Sequence, residues 1–177
     1  SQDPSNARLL ALSGSAHSLR NDHPTAIDRF TRAIEINAKD PSLYTSRAQS
    51  YEASGDSDKA IDDYGQAIRL TPSFVPAYVA RGKAFDSMSR YDDAMKDFAE
   101  AIRIAPAFHP AWRERGAVRL SHGHTGDALR DLEEALRLSP KDAESRRLYE
   151  AAKSKLVDEA VGGKSGPAVS LESTIPV

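Results

Sequence analysis

The chain has 177 residues, with 24 Lys and Arg against 26 Asp and Glu, five His and no Cys. The lack of Cys excludes disulfides, Cys-ligated metals and thiol catalysis, and a net charge of −2 lacks the basic footprint of a nucleic-acid binder. Apolar residues make up 40% of the chain, enough for a core, but no run approaches the roughly 18 consecutive apolar residues of a membrane-spanning helix.

Ser1-Gln2-Asp3-Pro4 resembles a cloning-vector remnant and carries no fold information. From about residue 7 onward, the chain matches itself at a shift of 34 residues, the signature of a repeat architecture. The first repeat, 7–40, places Leu10, Gly14, Ala26, Phe30 and Ala33. The second, 41–74, puts Tyr44, Ala48, Ala60, Tyr64 and Ala67 in the same columns. The third, 75–108, has Tyr78, Gly82, Ala94, Phe98 and Ala101. The fourth, 109–142, has Trp112, Gly116, Ala128, Leu132 and Ala135. Pro72, Pro106 and Pro140 close the last three, and Ala38 holds that place in the first.

Each repeat predicts two amphipathic helices. In the second repeat the Ser54-Gly55-Asp56 turn precedes a helix with Ala60, Ile61, Tyr64, Ala67 and Ile68 on one face. Small side chains in fixed columns allow helix axes to approach within about 8–10 Å. Asp62, Asp63, Asp92, Asp93 and Asp127 are expected early in their helices and Arg69, Arg103 and Arg137 late, matching the helix dipole. Residues 143–160 predict one more helix covering the last repeat. Residues 161–177 lose the period and read as a flexible tail, broken by Gly162, Gly163, Gly166 and Pro167. Gly162-Gly163-Lys164-Ser165 lacks the upstream Gly and the strand of a phosphate loop.

Two charged columns accompany the apolar ones. Arg47, Arg81 and Arg115 share one and Asp63, Asp97 and Asp131 the other, while the first repeat has Ser13 and Arg29 and so lacks both partners. Their joint absence predicts an Arg–Asp bridge between the two helices of a single repeat.

These columns resemble the tetratricopeptide repeat family, as four tandem repeats and a capping helix over about four fifths of the chain. The resemblance implies an all-α fold, a right-handed superhelical solenoid of antiparallel helix pairs. Two departures are Ala38 for the closing Pro and Arg119 where repeats two and three have Tyr51 and Phe85. It further implies a non-catalytic interaction module, an adaptor, scaffold or co-chaperone-like protein. Such a module holds an extended peptide or partner helix in a groove lined by the first helix of each repeat. The family's groove positions map to Ala11, Ser15, Thr45, Ser46, Gln49, Val79, Ala80, Lys83, Arg113, Glu114 and Ala117. Lys83, Arg113, Arg146 and Arg147 give the C-terminal part of this surface a basic character that suits an acidic segment or a terminal carboxylate.

The carboxylate clamp of chaperone-binding members uses Lys, Asn, Asn, Lys and Arg. The matching positions here are Ala11, Ser15, Ser46, Pro76 and Ala80, or one repeat on, Thr45, Gln49, Ala80, Pro110 and Glu114. Neither frame supplies it. His122 and His124, with Asp127 nearby, are read as incidental turn residues rather than a metal site. No cofactor, catalytic residue, nucleic acid or membrane insertion is expected, and the expected location is the cytoplasm. The tail, 169–177 above all, is expected in a groove of its own or of a neighbouring molecule, the latter giving a homodimer. The alternative function is a self-assembling unit whose repeat ends stack. Arg146, Arg147, Lys153 and Lys155 on the cap argue instead for a closed end.

Overall fold

The computed structural model describes residues 4–162, and most of the tail, with its expected docking, lies outside the described residues. Among the described residues the regular elements are all helices: α1 (Pro4–Leu19), α2 (His23–Ile36), α3 (Pro41–Ala53), α4 (Ser57–Leu70), α5 (Val75–Ser87), α6 (Tyr91–Ile104), α7 (His109–Ser121), α8 (Thr125–Leu138) and α9 (Ala143–Gly162). The chain divides into two compact units between Arg115 and Gly116.

In the first unit α1 packs on α2, α3 on α4 and α5 on α6, and each pair meets the next through α2 on α3 and α4 on α5. The alanine columns explain the close approach: Ala26, Ala33, Ala60, Ala67, Ala94 and Ala101 are fully buried. The aromatic column fills the space they leave, with Phe30, Tyr64 and Phe98 also buried. A Cβ added at Gly14 or Gly82 would come within 2.9 Å of the Phe30 or Phe98 ring. The missing side chain is therefore what admits the ring.

The column at Tyr44, Tyr78 and Trp112 has a second task. Tyr44 donates to the Ala38 carbonyl at 3.2 Å, Tyr78 to that of Pro72 at 3.2 Å, and Trp112 Nε1 to that of Pro106 at 2.8 Å. Each ring thus secures a turn carbonyl six residues upstream, two residues past the end of the preceding helix. In the second unit Arg146 takes the same part, donating to Pro140 O at 2.7 Å.

The turns inside the repeats share one geometry. Asn21, Gly55, Ser89 and Gly123 have φ of 59°, 87°, 60° and 82°. The next residue's N–H returns to the carbonyl five back, as in Asp56 to Tyr51 at 2.9 Å and Arg90 to Phe85 at 2.8 Å. This is the Schellman closure, in which the left-handed position favours Gly. Ser89→Gly is therefore expected to stabilise the protein by about 0.5–1 kcal/mol, the left-handed cost of a side chain less glycine's extra entropy. Thermal unfolding should show a rise of about 1–4 °C in Tm.

The bridge predicted from the charged columns is present twice in the first unit. Arg47 of α3 grips Asp63 of α4 through Nε at 2.7 Å and Nη2 at 2.8 Å. Arg81 of α5 holds Asp97 of α6 at 2.7 and 2.9 Å. Arg47 also reaches back to Thr31 Oγ1 of the preceding pair at 3.1 Å. Asp63 thus serves the bridge rather than the helix dipole, and neither it nor Asp62 lies in the first turn of α4, where Asp58 stands. Asp92, Asp93 and Asp127 do occupy first turns, and Arg69, Arg103 and Arg137 last turns.

In the second unit Ala128, Leu132 and Ala135 are fully buried, and Leu132 closes against Gly116 as Phe98 does against Gly82. Arg119, which breaks the aromatic column, donates to the buried Asp131 at 2.8 Å. The departure thus exchanges ring packing for a charged contact. α9 is fastened to this unit by Thr125 donating to Glu159 at 2.9 Å and Lys155 to the Leu120 carbonyl at 3.3 Å.

Candidate functional site

The first helices α1, α3 and α5 and the start of α7 line three clefts in the first unit. One, of about 440 Å³, is bounded by Ala7, Arg8, Ala11, Leu12 and Ser15 of α1, Phe30 of α2, and Ser42, Leu43 and Ser46 of α3. A second, of about 400 Å³, runs along Ser15, Ser18 and Leu19 to Ser46, Gln49 and Ala53. The third, of about 360 Å³, lies between α3, α5 and α7.

This third cleft has the richest chemistry. Its apolar floor is Pro76, Val79, Ala80, Phe108 and Pro110, and its polar rim is Gln49, Glu52, Lys83, Arg113 and Glu114. Two prolines and an alanine keep side-chain bulk on the floor low, so an extended backbone can approach closely. Tyr64, at the base, donates to Glu52 Oε2 at 2.5 Å. Burial first, and then this bond to Glu52, push the Tyr64 hydroxyl far above the ordinary tyrosine range, so it remains a donor.

The predicted groove residues fall into these clefts in part. Ser15 and Ser46 line the first two, Gln49 the second and third, and Val79, Lys83, Arg113 and Glu114 the third. Thr45 is buried, and its hydroxyl donates to the Pro41 carbonyl of its own helix at 2.7 Å. Ser15 likewise donates to Ala11 O at 3.1 Å. Arg147 belongs to the second unit, where Glu144 accepts from its Nε and Nη2 at 2.9 and 2.6 Å.

The rim charges are matched in sign. Glu114 receives Arg113 at 2.8 Å and Lys83 at 3.7 Å. With Glu52 added, the cleft carries two acids and two bases. Arg113 adjoins Glu114 in sequence, whereas Lys83 reaches it from α5 only through helix placement. Lys83, with 56% of its side chain exposed, has the looser hold. Among the described residues no group of three His, Asp or Glu is placed to hold a metal ion. His124 instead occupies the N-cap position of α8. No described helix is long and apolar enough to cross a membrane.

Stacked helix pairs with clefts along their first helices define an all-helical repeat fold. Residues 45–107 match the family model described as tetratricopeptide repeat. The fold is shared with solved structures of modest identity. The crystal structure of MamA is 24% identical with a TM-score of 0.68, covering 80% of this chain and 83% of that one. The first such domain of Spaghetti (RPAP3), bound to the HSP90 peptide SRMEEVD, is 21% identical with a TM-score of 0.63, covering 68% and 96%. Cut9-Hcn1 of the APC/C is 18% identical with a TM-score of 0.72; the match spans 83% of this chain and 30% of that one. No curated protein matches.

Proposed function

We propose that this chain is a non-catalytic, cytoplasmic adaptor or scaffold whose cleft between α3, α5 and α7 binds an extended segment of a partner protein. The observation carrying this reading is the pairing of an apolar floor, Val79, Ala80, Phe108 and Pro110, with a rim of mixed charge at Lys83, Arg113 and Glu114. A preformed cleft on packed helices lowers the ordering cost of binding on the protein side. Apolar side chains of the ligand sit on the floor, and an acidic side chain or terminal carboxylate pairs with Lys83, the rim cation least committed to Glu114. The RPAP3 neighbour is shown with a peptide, which supports the binding mode. Its ligand is not carried over, because Ala11, Ser15, Ser46, Pro76 and Ala80 stand where the carboxylate clamp would be.

A displayed library of random linear peptides, panned on the full chain, tests this. Enriched peptides should lose about tenfold or more in affinity on Val79→Arg, which places a charge on the floor, with circular dichroism unchanged. Peptides that bind Val79→Arg as tightly as the parent would place binding elsewhere. A library with no enrichment would remove the peptide-binding reading.

A further inference from the structure

Two apolar stripes face solvent, one on the first described helix and one on the last. On α1, Leu9, Leu12 and Leu19 are 66%, 60% and 87% exposed, and with Ala16 between them they follow a single helix face. The positions 34 residues on, in α3, are Leu43, Ser46, Ser50 and Ala53. There Leu43 is 5% exposed and packs with Ala33 and Ile34 of the preceding pair. Interior repeats thus use this face to seat on the pair before them. α1 offers the same face with bulkier side chains.

α9 supplies the counterpart. It runs for 20 residues, against 13 in α3 and α5. Its later turns carry Leu156, Val157 and Val161, which are 42%, 56% and 67% exposed. Single exposed aliphatics are ordinary, whereas a contiguous set along one helix marks a contact surface. Of the four cations expected to close the cap, Arg146 and Arg147 are engaged with Pro140 O and Glu144 and Lys155 with Leu120 O, while Lys153 is exposed.

Charge selects between the ways these stripes can be covered. α1 contains no acidic residue, and Arg8 and Arg20 flank its stripe. Two α1 helices facing each other would oppose like charges. The late turns of α9 carry the exposed Asp158 beside their aliphatics, with Glu159 held by Thr125 and Lys155 turned to the Leu120 carbonyl. We propose that the α1 face of one molecule receives the late turns of α9 from a second copy, so that molecules associate head to tail. The contact joins two different faces, so it is heterologous, and a molecule that uses one face in it still carries the other.

Light scattering on the full chain over a range of concentrations tests this. The mass should rise above 19.2 kDa as the concentration increases. Leu12→Glu and Val157→Arg should each return it to 19.2 kDa, because either change removes one of the two faces. An equimolar mixture of these two variants should form a species of twice the monomer mass and stop there, since each keeps the face that the other lacks. A wild-type mass that stays monomeric overturns the proposal. So does association that survives Val157→Arg but not Leu12→Glu, which would mean that α1 pairs with itself, and so does a mixture that remains monomeric. Leu9→Glu and Val161→Arg give the same readout if either first variant loses helix content.

Discussion

Phe98→Ala is expected to cost about 3–5 kcal/mol, the range for emptying a buried aromatic site. Phe98 is fully buried, and its ring lies so close to Gly82 that a Cβ there would come within 2.9 Å. At Gly82 the neighbour is helix backbone, which cannot lean into the space, so the cavity stays open there. Denaturant unfolding should show the loss as a shift in midpoint, with Tm lower by about 6–20 °C. Phe98→Leu should cost far less, about 1–1.5 kcal/mol. The fourth repeat already packs Leu132 against Gly116 in this arrangement. Equal losses from both variants would contradict the packing account.

Arg81→Ala is expected to cost about 3 kcal/mol, because it strands the Asp97 carboxylate in the interior. Only 8% of the Asp97 side chain is exposed, against 23% for Arg81. The reverse change, Asp97→Ala, should cost less, since the longer guanidinium can turn toward water. A double-mutant cycle should return a coupling of about 1–3 kcal/mol. The pair Arg103–Glu100 has comparable geometry at 2.6 Å but side chains 70% and 36% exposed, and its removal should leave stability unchanged within error. Coupling at Arg81 and Asp97 no larger than at that surface pair would show that the bridge is solvated.

The helix-pair architecture was readable in the chain because every repeat solves the same packing problem. Where Ala60 must vanish beneath a neighbouring helix, Ala26, Ala94 and Ala128 must as well, and all four are fully buried. The Arg47–Asp63 bridge was readable for a different reason: repeat one loses both of its members together, at Ser13 and Arg29. The turn column was harder to see. Asn21 and Ser89 adopt the same left-handed geometry as Gly55 and Gly123, so backbone closure rather than residue type marks it.

The candidate site was readable only as positions. Helix periodicity says that residues such as Thr45 and Gln49 share a helix, but a few tens of degrees around its axis separate a lining side chain from a buried one. Thr45 turns its hydroxyl into its own helix, while Gln49 borders two clefts. Charge was less readable still. In the chain, Lys83 and Arg113 look like a basic patch; in three dimensions both meet Glu114.

By itself the sequence determined the repeat, its alanine and aromatic core and the internal Arg–Asp bridge, because packing at a fixed period demands like residues at like places. Only the tertiary structure decided which charges stay available, that Arg119 would take Asp131, and that aliphatics on α1 and α9 would face water. Electrostatic partners and exposure depend on side chains brought together from separate helices, and no single helix's pattern records its neighbours.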